Sequence, residues 1–252
     1  MSTSGPLQVP PLPVPDGELQ VTDPEEIADT LHDLARLDPV EVGLETVLDR
    51  IVRAAVACCG VTGGVGLLLL DSADELRHVV AAGRPLRSLG GMQVRLREGP
   101  SMDAFQRDEP VDSGDLTAEP RWPAFGPVAV AAGVRAWLAV PVHRRYGPIG
   151  TLDFARTEPQ PWRPQDLAAG NAYARLIVST LELAMAHGEE GLASELRFAL
   201  DHDARIEQAR GVVMEREQVD EPSAFELLRQ QAYIEGQPMR AIAERILARA
   251  RR

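Results

Sequence analysis

The chain has 252 residues, 44% of them hydrophobic but only 4% aromatic, and a formal net charge of -12 at pH 7. That length accommodates one large or two modest domains, and aliphatic side chains must fill the core. The acidic balance argues against broad, nonspecific binding to polyphosphate, though it permits a local basic face. No apolar run reaches the roughly 18–20 residues of a membrane span. The N-terminus lacks the basic and apolar regions of a signal peptide, which points to the cytoplasm. All 26 basic residues are arginine. The two cysteines, Cys58 and Cys59, are adjacent and give neither a disulfide framework nor a zinc spacing. They read as small buried residues at a helix end, with redox sensing as the other reading.

Residues 1–22 are Pro-rich, contain PLPVP and lack periodicity, which predicts a disordered tail. Thr22-Asp23-Pro24-Glu25 has capping-box spacing with proline in the first turn, so a helix is expected to about Leu37. Asp38-Pro39 interrupts it. A second helix is expected from about Val40 to Ala57, with Leu44, Val47, Leu48, Ile51 and Val52 on one face. The period then changes. GVGLLLL (64–70) reads as a buried strand that pairs with Leu76–Ala82 through the turn DSADE. Met92–Leu96 alternates, and Gly99–Arg107 reads as a short helix. Arg135–Val142 and Ile149–Ala155 are two further strands joined at RRYGP. A long helix follows from near Pro164 to about His187. The order predicts an α+β domain over 23–187, an antiparallel sheet with flanking helices.

Strand signals vanish after Leu192. Leu192, Leu196, Ala199, Ile206 and Val213 continue a heptad-like seam, in which Asp203 stands at a position suited to an apolar residue. A second helix covers about Pro222–Ile234, with Gly236 placed to end it in a left-handed cap. A third opens at Pro238 and carries Met239, Ile242, Ala243, Ile246 and Leu247. Residues 188–252 therefore form an all-α three-helix unit, joined to the first domain through Gly188–Gly191. From Leu192 onward ten arginines stand against eleven Asp and Glu, so the acidity lies mostly upstream.

Catalysis finds little support. Ser101 sits in GPSMD, which is not a nucleophile elbow, and no metalloprotease, P-loop or dinucleotide motif is present. The histidines at 32, 78, 143, 187 and 202 are dispersed and lack metal spacing. No cofactor or metal signature is evident, and the chain reads as a binding protein rather than an enzyme. Trp122 and Phe125 lie near Asp115 and Arg121, a mixture that suits a concave site under a lid or, alternatively, aromatic plugs on the sheet face. GPSMDAF (99–105), EPV (109–111), GDL (114–116), RWPAF (121–125), GVRAWLAVPV (133–142) and IGTLDF (149–154) together resemble a GAF domain of the actinobacterial regulator type, over about 40–185. The resemblance implies a sensor module for a small molecule, haem or redox signal, of a kind that often dimerises. Ser101, Asp115, Arg121, Trp122 and Phe125 are then candidates for its ligand pocket, with Ser101 where related sequences often have cysteine.

In ARIEQARGVVMER (204–216), Ile206, Ala209 and Val213 share the inward face of a helical wheel. Ala204, Gln208, Gly211 and Glu215 fall opposite, with Arg210 on one border and Arg205 and Arg216 near the other. Glycine inside a helix costs about 1 kcal/mol relative to alanine. An outward strip of small residues beside long cations permits close approach of a partner, and arginine suits phosphate and base edges. The run 199–216, with AFELLRQQA (224–232) and MRAIAERIL (239–247), is similar to the ANTAR domain, a three-helix RNA-binding module of transcription antitermination regulators, over about 192–250. The resemblance implies a homodimer that binds RNA hairpins in nascent transcripts. It makes Ala204, Arg205, Gln208, Arg210, Gly211, Arg229 and Arg240 the expected RNA-binding residues. The family has lysine at Arg210, arginine at Asp203, asparagine at Gly236 and aspartate at Ala241. Docking of a protein partner on the helical unit is the alternative reading.

Overall fold

The computed structural model describes residues 24–71, 75–145, 147–186, 192–235, 237 and 239–250; side chains are not described for 192–204 or Tyr233. The Pro-rich segment 1–22, the joint at Gly188–Gly191, the cap at Gly236 and the side chains of Asp203 and Ala204 therefore lie outside the described residues.

The first domain begins with α1 (Pro24–Ala35), α2 (Pro39–Val42) and α3 (Leu44–Cys58). One continuous helix was expected from Val40, but Gly43 divides it. Its φ of +89° lies in a region that glycine adopts without a Cβ penalty, and the chain turns there before restarting. Strands β1 (Gly64–Leu70) and β2 (Leu76–Ala82) form the expected antiparallel pair. After α4 (Arg84–Leu96) and α5 (Pro100–Arg107) come the short β3 (Val111–Ser113) and α6 (Phe125–Ala131). Strands β4 (Ala136–Arg144) and β5 (Gly147–Arg156) and the long α7 (Pro164–Ala186) complete the domain. The sheet runs β2-β1-β5-β4-β3, antiparallel throughout. The alternation at Met92–Leu96 does not make a strand. It is the end of α4, whose buried Leu86, Leu89, Gly90 and Gln93 recur at helical spacing.

Both sheet faces are covered. Leu67 and Leu69 of β1, Leu138 and Val140 of β4, and Leu152 and Phe154 of β5 meet Val47, Leu48, Ile51, Tyr173 and Ile177 from α3 and α7. On the other face Trp137 and Ala139 pack with Leu86, Leu89, Ala104, Trp122, Phe125 and Ala129. Leu68 and Leu70 meet Val94, Met102 and Phe105 on that side as well. This accounts for the unbroken apolar run of β1, since every side chain has a hydrophobic layer to enter.

A buried ion pair fastens β5 to α7. Arg156 Nη2 lies 3.2 Å from Asp166 Oδ2, with the two side chains 4% and 2% exposed. The Arg156 guanidinium stacks 3.8 Å from the Trp162 ring centroid, and Arg163 adds a second cation to Asp166 at 3.1 Å.

The helical unit contains α8 (Leu192–Glu217), α9 (Glu221–Glu235) and α10 (Met239–Ala250). Ile206, Ala209 and Val213 pack against Ala224, Leu228, Ile242 and Ala243, as the helical spacing predicts. Among the described residues, no helix is long and apolar enough to cross a membrane.

Burial pushes the Asp166 carboxyl up, but hydrogen bonds from Arg163 and the charge of Arg156 together hold it below its ordinary value. The stability this pair contributes is present above the usual carboxylate range and is lost as pH falls through the lowered value. Asp166→Asn leaves Arg156 buried beside a neutral amide and should destabilise the domain by about 3–5 kcal/mol in urea unfolding at pH 7. A loss under about 1 kcal/mol would show that the pair does not fasten the sheet to α7.

Candidate functional site

On the face covered by α4 and α5, strand alternation turns Asp153 inward, where it is 1% exposed. Ser101 Oγ, in the first turn of α5, donates to Asp153 Oδ1 at 2.7 Å and accepts from Gln93 Nε2 at 2.7 Å. The Ser101 backbone N–H donates to Gln93 Oε1 at 2.8 Å. Trp137 Nε1 donates to Asp153 Oδ1 at 3.4 Å, and Thr151 Oγ1 lies 3.5 Å from Oδ2. Gly99 permits this arrangement: at φ +133°, a Cβ there would stand 2.3 Å from Gln93 Oε1. Ser101 is thus sealed in a hydrogen-bonded cluster joining α4, α5, β4 and β5. Burial pushes the Asp153 carboxyl up to about 7, against the opposing effect of the hydrogen bonds it receives.

The other pocket candidates take structural positions around this cluster. Trp122 is 1% exposed and donates from Nε1 to Asp103 Oδ2 at 3.3 Å. Phe125 is fully buried, edge-on to Trp137 with ring centroids 5.5 Å apart. Both aromatics are core of this face, the plugs of the alternative reading. Arg121 stacks on Trp122 at 4.4 Å, bonds Glu119 through Nε and Nη2, and donates to the Asp112 carbonyl at 2.6 Å. The bond from Arg121 holds the Glu119 carboxyl down to about 2. Asp115 caps the turn Leu116–Ala118 through Thr117 N at 3.0 Å and pairs with Arg135 at 3.3 Å. Gln93, Glu98 and Asp153 were not singled out from sequence. Glu98 Oε1 accepts from the backbone N–H groups of Ala124 and Phe125 at 2.7 and 2.8 Å, fixing the start of α6. Asp153 had a signal, an acid in the otherwise uncharged strand IGTLDFA.

On α8 the wheel is reproduced. Arg205, Gln208, Gly211 and Glu215 are exposed, and Ile206, Ala209 and Val213 are buried. A Cβ built on Gly211 meets nothing within 4 Å, so the glycine answers no packing demand inside the unit. The arginines are less uniform than the sequence suggested. Arg210 is only 13% exposed; it pairs with Glu207 and, at 2.9 Å, with Glu221, tying α8 to the start of α9. The Arg240 side chain is 9% exposed and lies 3.1 Å from Glu244. Arg229 is 60% exposed and bonds Glu226 through two nitrogens at 2.9 Å. Arg210 and Arg240 therefore serve packing and pairing within the unit, Arg210 across to α9 and Arg240 along its own helix.

Two family models match the chain, a GAF domain over residues 43–181 and an ANTAR domain over residues 194–247. No curated protein matches. Similar solved structures include the GAF domain of an Acinetobacter phosphoenolpyruvate-protein phosphotransferase, at 21% identity over 64% of this chain and 96% of that one, TM-score 0.52. The corresponding domain from Coxiella burnetii is 17% identical over 65% and 97%, TM-score 0.51. Free methionine-R-sulfoxide reductase from Neisseria meningitidis, solved with its substrate, is 18% identical over 68% and 97%, TM-score 0.52. At these identities the likeness is one of fold, and this fold carries more than one function.

The raised Asp153 carboxyl has a testable consequence. Its folded value lies above that of the unfolded chain, so the stability it confers is complete below about pH 4 and is lost as pH rises towards 7. Asp153 contributes a downward slope of at most about 1.4 kcal/mol per pH unit in that window. Asp153→Asn should remove it while preserving acceptance from Ser101. Unfolding free energies measured from pH 4 to 7 check this, and an unchanged slope would show that Asp153 is not the buried proton acceptor.

Proposed function

The chain belongs to the GAF family and carries an ANTAR domain behind it, and from that premise we propose that it is a cytoplasmic transcription antitermination regulator. The sensor domain spans 23–187 and the RNA-binding domain 188–252. The protein acts as a homodimer that binds hairpins in nascent transcripts, and a small-molecule signal in the sensor domain controls that binding. The ANTAR match over 194–247 is the observation that carries this reading. RNA hairpins are recognised through loops, ends and shape. A dimer sets two modules at a fixed spacing, which suits two successive hairpins and disfavours the competing terminator.

The contact strip proposed on α8 consists of Ala204, Arg205, Gln208 and Gly211, with Arg229 on α9 as a further cation. The open space above Gly211 supports close approach of a nucleic-acid backbone. Arg210 contributes by tying α8 to the start of α9 through Glu221, and Arg240 by pairing along α10 with Glu244. On the sensor side, Ser101 anchors α5 to the sheet, and Asp115, Arg121, Trp122 and Phe125 frame the covering segment that a ligand would displace.

RNA selected from a pool of random hairpins should be retained by the full chain, and retention should fall steeply with salt. Absence of any hairpin above background at moderate salt would overturn the reading. Gly211→Ala separates folding from binding. It should stabilise the helical unit by about 1 kcal/mol, since the added methyl meets open space, and should weaken hairpin binding by crowding the contact strip. Thermal melts and filter retention on the same variant measure both. Unchanged affinity would remove Gly211 from the contact surface.

A further inference from the structure

A second surface of the helical unit is left unexplained by the α8 strip. Between the end of α8, α9 and α10 lies an open groove of about 500 Å³. That volume falls in the range of small-molecule sites, about 300–1,000 Å³. Val213, Leu228 and Ile246 form its floor, and Leu227 and Ile234 its wall. Leu227 and Ile234 stand seven residues apart, two turns on one face of α9. They are 40% and 81% exposed, so Ile234 buries little of its side chain within the unit. Arg216, Arg245 and Arg249 stand around the opening, against Glu217 and Glu235. Arg245 neutralises Glu235 through two contacts of 2.6 Å. The sequence then adds Arg251 and Arg252, which makes 245–252 a run of four arginines without an acid. In a chain of net charge -12 this is a concentration of positive charge in the sequence, and Arg216 and Arg249 bring two of the chain's cations to the groove.

We propose that this groove is a base-accepting subsite for RNA, receiving an unpaired loop nucleotide while Arg216 and Arg249 hold its flanking phosphates. The proposal rests on the RNA-binding reading and deepens it. A splayed loop base presents apolar faces and a polar edge, and it stacks readily on guanidinium planes. The groove supplies an aliphatic floor, arginines at its mouth, and the amides of Gln230 and Gln231, each able to donate to and accept from a base edge. An acidic or purely apolar partner would use only one half of this surface. A nucleotide uses both, because its charge and its apolar face lie a few ångströms apart. The groove and the Gly211 strip both draw on α8, whose Arg216 borders the groove and whose Gly211 lies five residues earlier on the outward face, so one hairpin can engage both.

The test uses the full chain and a hairpin selected for binding to it, with 2-aminopurine at single loop positions. Ile234→Glu alters an exposed side chain and should leave the circular dichroism melt unchanged, yet lower hairpin affinity at least tenfold. Arg216→Gln and Arg249→Gln should each reduce the slope of log affinity against log salt by roughly 0.7–0.9. The fluorescence of one loop position should change on binding to the parent chain and not on mixing with Ile234→Glu. If the hairpin binds the parent chain but Ile234→Glu stays within twofold of it, the subsite is overturned while the RNA-binding reading stands. The groove is then a protein-docking surface or unused. If the parent chain retains no hairpin at all, both fall together.

Discussion

A five-stranded sheet enclosed between two helical layers leaves no solvent for the polar groups it buries, and the first domain is organised by how it satisfies them. Each layer has its own solution. On the α3–α7 face, Arg156 and Asp166 neutralise one another and lock the last strand to the following helix. On the α4–α5 face, Asp153 is met by the hydroxyl of Ser101, the indole of Trp137 and, through Ser101, the amide of Gln93. An acid buried among neutral donors holds its proton to a higher pH than an exposed one. Covering helices on this side are thus attached by directional hydrogen bonds as well as by packing, which fixes where the loop 112–126 can run.

The distribution of arginine follows a related logic in the helical unit. Arginine is the only cation available to this chain beyond histidine, so it must serve both structure and any anionic partner. Its forked guanidinium suits paired carboxylates, and Arg210 and Arg240 are used in that way at mostly buried positions. Arg205, Arg216 and Arg249 remain exposed. Pairing takes both forms: Arg210 and Arg245 reach acids on another helix, whereas Arg240 pairs four residues along its own.

Several elements could be read directly from residue patterns. The run GVGLLLL, the strands around WLAVPV and GTLDF, the long helix from Pro164 and the three C-terminal helices all stand where apolar periodicity put them. Others could not. Gly90, Gly91 and Pro85 lowered the helical signal of α4, so a short alternation stood out instead. β3 has only three residues, and its strand character comes from pairing with β4 rather than from its own composition. The break at Gly43 depends on a backbone angle that sequence does not display.

The site divides in the same way. The outward position of Gly211 follows from 100° per residue and needs no neighbour, so the sequence alone determined it, along with the two-domain order and the families its motifs resemble. Arg229 and Arg240 pair with acids three and four residues away on their own helices, a spacing the sequence displays, whereas Arg210 also reaches Glu221 of α9, and only the tertiary structure decided that contact. The same holds for Trp122 and Phe125, whose burial depends on the covering of α4–α6, and for Ser101, Gln93 and Asp153. These three lie 52 and 60 residues apart along the chain or closer, as with the eight between Gln93 and Ser101. Periodicity acts through neighbours on one element, whereas the pairing of buried polar groups is set by distances between elements, which one-dimensional spacing does not encode.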